Sequence, residues 1–174
     1  SHPTLTYVTI ANNTGNFGHC MNLYSSDPTL THVTISRNTA VVYGGGMFLT
    51  YSNPSLTNVN ISGYTSGFDL AGMRLYESNP TLTHVTISEN TSEQFGGGIW
   101  IDGLSVPIIT NTIIWGNSPK SIWNSNLDGP GDGYYSLYPI ITYSNIESDT
   151  TWPGDGNINA DPLFIDPSYG DYTL

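Results

Sequence analysis

The chain has 174 residues, with 14 acidic side chains against 3 basic ones, a net charge of −11 and a single cysteine. Such a surface repels nucleic acid and anionic membranes, and Cys20 alone excludes an internal disulfide. No run of apolar residues is long enough for a membrane-spanning helix, and the acidic, disulfide-free composition fits an extracellular or cell-surface protein whose Ser1 reads as a cut or processed end.

The first element is a phrase, Ser1-His2-Pro3-Thr4-Leu5-Thr6, that returns from Ser26, from Ser52 and from Ser78, with proline spacings of 25, 26 and 26 residues. Pro107, Pro139 and Pro162 continue the series with looser sequences at 27, 32 and 23. A period of this length means units that stack and bury their apolar faces against their neighbours. Six units and a partial seventh are expected.

Within a unit the apolar phases are fixed. Leu5, Leu30, Leu56, Leu82, Ile109 and Ile141 follow their prolines by two residues, and Ile10, Ile35, Ile61, Ile87, Ile114 and Ile146 by seven. A further strand carries Met21/Leu23, Met47/Leu49, Met73/Leu75 and Ile99/Ile101. All alternate with Thr, Asn or aromatic residues, the period-two signature of a strand with one buried face. Two or three short strands per unit, placed in register beside their copies, give an all-β, right-handed, single-stranded parallel β-helix with six to seven rungs roughly 4.8 Å apart. It is one domain over 1–174, with regular rungs at 1–104 and irregular, acidic rungs at 105–174.

Asn13, Asn38, Asn90 and Asn117 recur ten residues after the proline, interrupted by Tyr64 and followed by Asp149 in the sixth unit. They predict a hydrogen-bonded ladder at a bend where Asn accepts left-handed backbone. The runs Gly44–Gly46 and Gly96–Gly98, echoed before Met21 and by Leu70-Ala71-Gly72, predict tight turns into the next strand. No helix follows them to cap an anion, so they are not phosphate loops. An insertion from Asn124 to Ser136, ending in Tyr134 and Tyr135, predicts a surface loop.

These glycine runs, joined to Pro-Thr-Leu-Thr-x-Val-Thr-Ile-Ser-x-Asn, resemble bacterial secreted and surface-displayed right-handed β-helix repeat proteins, kin to the polymorphic outer-membrane protein repeats within the pectate-lyase-like superfold. The segment from Asn157 to Pro167 resembles their closing rung. The resemblance spans the chain and implies a structural or adhesive role. It also implies a following rung and anchor, whereas this chain stops at Leu174.

No catalytic constellation is expected. Arg37, Arg74 and Lys120 fall at three different phases, and Asp27, Asp69, Glu77, Glu89, Glu93 and Asp102 are scattered, so no acid–base pair is apparent on adjacent rungs. Two sites are expected instead. Asp155, Asn157, Asn159, Asp161 and Asp166 carry oxygens at positions one, three, five, seven and twelve, the spacing of a calcium loop, with turn capping in a closing rung as the competing reading. Calcium is the one cofactor the chain suggests. On the outward side of the Met/Leu strand, Tyr24, Phe48, Tyr76 and Trp100 predict an exposed aromatic face for a partner. The function expected is a non-catalytic, extracellular structural or adhesive β-helix, associating end to end into filaments or forming part of a longer surface protein. The alternative is a carbohydrate-binding or carbohydrate-active β-helix.

Overall fold

The computed structural model describes residues 1–17, 19–67, 72–128 and 137–173. Asp69, the Leu70-Ala71 pair, the loop residues 129–136 with Tyr134 and Tyr135, and the end at Leu174 lie outside them.

The first rung consists of β1 (Thr4–Thr6), β2 (Thr9–Ala11), β3 (Thr14–Phe17) and β4 (Met21–Tyr24). The second repeats it as β5 (Thr29–Thr31), β6 (Thr34–Ser36), β7 (Thr39–Tyr43) and β8 (Met47–Thr50), and the third as β9 (Ser55–Thr57), β10 (Asn60–Ser62), β11 (Thr65–Ser66) and β12 (Met73–Tyr76). In the fourth, β13 (Thr81–Thr83) and β14 (Thr86–Ser88) precede a single long strand, β15 (Thr91–Asp102). The fifth contains β16 (Ile108–Thr110), β17 (Ile113–Trp115), β18 (Ser118–Asn124) and one helical turn, α1 (Ser125–Asp128); the sixth retains only β19 (Ile140–Thr142) and β20 (Asn145–Ile146).

The strands of the first five rungs pair in parallel with their copies in the adjoining rung. Two six-stranded sheets run β1-β5-β9-β13-β16-β19 and β2-β6-β10-β14-β17-β20. The third sheet joins the two remaining faces, because β15 passes straight through the bend that separates β11 from β12. The register is that of the sequence: Leu30 pairs with Leu56, Leu56 with Leu82, and Ile61 with Ile35 and Ile87. These columns, with Val33, Val59 and Val85 between them, form one continuous core.

The first three rungs have four strands each rather than the two or three expected, while the fourth and fifth have three and the sixth two. The one missed follows the asparagine ladder, where Thr14, Thr39, Thr65, Thr91 and Ser118 stack; its polar, short sequence resembles a bend. The bends lie elsewhere. Tyr7, His32, Asn58, His84, Asn111 and Tyr143 all adopt φ between 49° and 55° between the first two sheets. Left-handed backbone costs a non-glycine residue on the order of 1 kcal/mol, and the stacking of successive rungs offsets it.

Polar ladders run inside the coil. The amides of Ser26, Ser52 and Ser78 donate to Ser52 Oγ, Ser78 Oγ and Ser105 Oγ, each at 3.0 Å. Beside them Asp27, Asn53 and Asn79 accept from the backbone N–H one rung on, which explains the Ser-Asp/Asn-Pro phrase. In the asparagine ladder, Asn13 Nδ2 donates to Asn38 Oδ1 at 3.0 Å and Asn90 Nδ2 to Asn117 Oδ1 at 3.0 Å. The left-handed residues at that corner are the preceding ones, Asn12, Arg37, Gly63, Glu89 and Gly116, so the asparagines serve as ladder rungs rather than bend residues. Asp149 is exposed and takes no part.

The glycine runs also require a different explanation. Gly46, Gly72 and Gly98 do not adopt left-handed backbone; they form a column in which a Cβ would meet a carbonyl oxygen of the next rung, at 2.7, 2.2 and 2.3 Å. They are spacers for close stacking.

The partial seventh rung begins earlier than Pro162. Asp155 O accepts from Tyr143 N, Ile146 N donates to Ile158 O, and Asn145 bridges to Ile158. Leu163 and Ile165 are exposed, and the chain returns along the outside of the coil to the second rung, where Arg37 Nη2 donates to Tyr169 O.

Candidate functional site

The outward face of the third sheet carries two adjacent columns. One contains Asn22, Phe48, Arg74, Trp100 and Trp123; the other contains Tyr24, Thr50, Tyr76 and Asp102. The four aromatics expected on one exposed face therefore divide between the columns.

In the first column Arg74 is the organiser. Its guanidinium carbon lies 5.3 Å from the Phe48 ring centre and 4.0 Å from that of Trp100, and Nη2 meets Asp102 Oδ2 at 2.7 Å. Phe95 covers Trp100 at a ring separation of 4.5 Å. Trp100 is thus buried, 9% exposed, and Phe48 is half-buried. Neither is freely exposed as the strand alternation predicts; both pack around Arg74, where a cation sandwiched between rings is worth more once removed from water. Arg74 Nε and Trp100 Nε1, with nearby His19 Nδ1, are buried without hydrogen-bond partners among the described residues.

His19 packs against Phe48 at 4.9 Å. Burial, and then the Arg74 charge, lower its pKa to about 4 from 6.5. A depressed histidine stabilises the fold above its unfolded value; that contribution is lost as pH falls from about 6.5 toward 4. Urea unfolding of the wild type and His19→Gln should show the wild type losing on the order of 1 kcal/mol relative to the variant between those limits, a figure reduced for partial exposure. Parallel curves for the two proteins would refute it.

The second column holds accessible aromatics. Tyr24, Tyr51 and Tyr76 are 70%, 51% and 37% exposed on three consecutive rungs. Their ring centres are 6.1 and 6.0 Å apart, edge to face. Tyr51 sits at a left-handed bend, φ 50°, which turns it out beside its neighbours. Sequence reasoning missed it because it lies one residue beyond the strand alternation.

In the C-terminal segment Asn157 Oδ1 accepts from Ser144 N while Nδ2 donates to Ile141 O at 2.9 Å. Asn159 Nδ2 donates to Ser148 O, and Asp161 Oδ1 accepts from Leu163 N. Asp155 is exposed, and Asp166 lies in a turn bridged to Asp171. Asn157 and Asn159 thus tie this segment to the preceding rung, and Asp161 caps a local turn. Among the described residues no three His, Cys, Asp or Glu side chains gather as metal ligands.

Sequence reasoning also missed two carboxylates flanking one glycine. Glu147 Oε2 accepts from Gly116 N at 2.8 Å from one side, and a Cβ on Gly116 would meet Glu89 Oε1 at 2.2 Å on the other. Burial, and then the charge of Glu147, raise the pKa of Glu89. The long fifth unit hides this proximity in the sequence.

Stacked parallel rungs around one apolar core, with bends of single left-handed residues, define a parallel β-helix solenoid. Residues 1–132 match the family model described as the right-handed β-helix region, and the chain belongs to that family. No curated protein and no solved structure matches the chain.

Proposed function

We propose that this is a non-catalytic, extracellular adhesive β-helix whose contact surface is the tyrosine row Tyr24, Tyr51 and Tyr76, and whose ligand is a glycan chain lying along the helix axis. The observation that carries this reading is the exposure of three tyrosine rings on consecutive rungs, flanked by the rigid Arg74 stack. Clustered exposed aromatics mark contact surfaces, and a phenol ring offers a sugar both an apolar face and a hydroxyl. Held on packed strands, the rings lose little freedom on binding, which favours affinity.

The test is a glycan array and polysaccharide pull-down with the wild type and a Tyr24→Ala/Tyr51→Ala/Tyr76→Ala triple variant. The wild type should retain one class of glycan, and the variant should bind it at least about tenfold more weakly, as expected for the loss of several ring contacts. The three rings are exposed, so the melting temperature should hold. Equal binding by the two proteins, or no retained glycan, refutes the reading.

A further inference from the structure

At the fifth and sixth rungs the coil opens. The sixth rung retains its first two strands only, so the edge of β18 facing away from β15 has no strand partner among the described residues. Along it runs an open cleft of about 620 Å³, a size typical of ligand-holding clefts. Its floor is β18, and its walls are α1 and the segment from Glu147 to Pro153.

The cleft's chemistry is uneven in sign. Lys120 is its one described cation, and it is engaged, with Nζ on Asp128 Oδ1 at 2.8 Å and over the Trp123 ring at 5.1 Å. Glu147 and Asp149 have no cationic partner among the described residues. The negative charge of Glu147 is felt as far as Glu89, across Gly116. Two aromatics complete the lining: Trp152, packed on the core, and Tyr138, 54% exposed.

We propose that this cleft is a docking site for an extended, basic segment of a partner polypeptide. The segment adds as a strand to the free edge of β18 and places an arginine or lysine side chain between the Glu147 and Asp149 carboxylates and the Trp152 and Tyr138 rings. Strand addition supplies main-chain hydrogen bonds along a sheet edge that has no second strand. Carboxylates supply charge complementarity, and the rings supply a face on which a guanidinium stacks. A neutral sugar would gain from the rings alone and would leave the two carboxylates unmatched. This site is separate from the tyrosine row and does not depend on it.

The test uses the full chain and a fluorescein-labelled peptide, Val-Arg-Val-Arg-Val, followed by anisotropy. Three comparison peptides or ligands accompany it: the same peptide with citrulline for arginine, a backbone N-methylated version, and cellohexaose as competitor. Citrulline and N-methylation should each weaken binding by roughly tenfold, one removing charge and the other the strand hydrogen bonds. Asp149→Asn and Tyr138→Ala, both at exposed positions, should each weaken it by about threefold or more with the melting temperature unchanged. Asp27→Asn, on the second rung, should leave it unchanged. The proposal is overturned if the citrulline or methylated peptide binds as well as the parent, if neither cleft variant changes the affinity, if Asp27→Asn weakens it equally, or if cellohexaose displaces the peptide. Failure here leaves the glycan array result untouched, and the converse holds.

Discussion

Leu56→Ala should destabilise the protein by about 2 to 5 kcal/mol, the cost of removing a buried leucine and leaving its cavity. Leu56 is 1% exposed, and its strand is hydrogen-bonded on both sides, with Leu30 and Leu82 as its register partners. The surrounding strands are fixed by two rungs each, so the site has little freedom to collapse, which places the cost in the upper part of that range. Leu5→Ala should cost much less: Leu5 is half-buried and packs against the next rung alone. In a solenoid each rung contacts only its neighbours, so the loss at Leu56 separates the first two rungs from the last three. Hydrogen exchange should then report earlier opening of β1–β8. Urea unfolding gives both values, and a cost below about 1 kcal/mol at Leu56, or equal costs at the two positions, would contradict the stacking.

The columns were legible because a repeat repeats its errors and its signals alike. Leu56 means little alone, but Leu30, Leu56 and Leu82 at one phase leave no other register in which all three are buried. The serine and asparagine ladders were visible as composition and not as roles. Nothing in Ser-Asn-Pro says that the serine faces inward at 0% exposure, as Ser52 and Ser78 do, while the asparagine reaches the backbone of the next rung from outside. Where the spacing drifts, inference along the chain loses its register. Pro162 has the right residues after it for a strand, yet Asp155 to Ile158 occupies that place, because the amides of Tyr143 and Ser144 are already satisfied by Asp155 and Asn157.

The candidate site was less legible for a related reason. Strand alternation correctly put Phe48, Tyr76 and Trp100 on the outward side, but outward from the sheet is not the same as exposed to water. Arg74, one rung from each ring, has a side chain long enough to lie between them, and Phe95, earlier in the same strand β15, closes over Trp100. Exposure here depends on side chains reaching across from other rungs and other phases of the repeat, and alternation carries no information about these. Glu89 and Glu147 illustrate the opposite case. They lie 58 residues apart, one rung before and one rung after Gly116, and the insertion in the fifth unit lengthens the spacing so that their common corner is not apparent in the sequence.

Gly98→Ala should cost about 3 kcal/mol or more, although it adds a single methyl group. The added Cβ would lie 2.3 Å from Ser121 O and 3.0 Å from Ile114 Cγ2. The first of these atoms is backbone in a hydrogen-bonded strand, so relief requires rungs four and five to separate. Separation breaks the β15–β18 pairing and opens the core at Ile99, Ile114 and Ile122, all buried. Intrinsic propensity points the other way, because alanine in a strand loses less entropy than glycine by roughly 0.5 to 1 kcal/mol; a stabilised variant would mean that the rungs are not in contact at this column. Gly63 supplies the contrast. It has φ 61°, and its nearest prospective neighbour is the flexible Arg37 Cγ at 3.4 Å. Gly63→Asn, a residue that tolerates left-handed backbone, should therefore cost about 1 kcal/mol or less. Thermal and urea unfolding of the two variants separates glycine needed for space from glycine needed for conformation, and equal losses would reject the spacer role of the Gly46, Gly72 and Gly98 column.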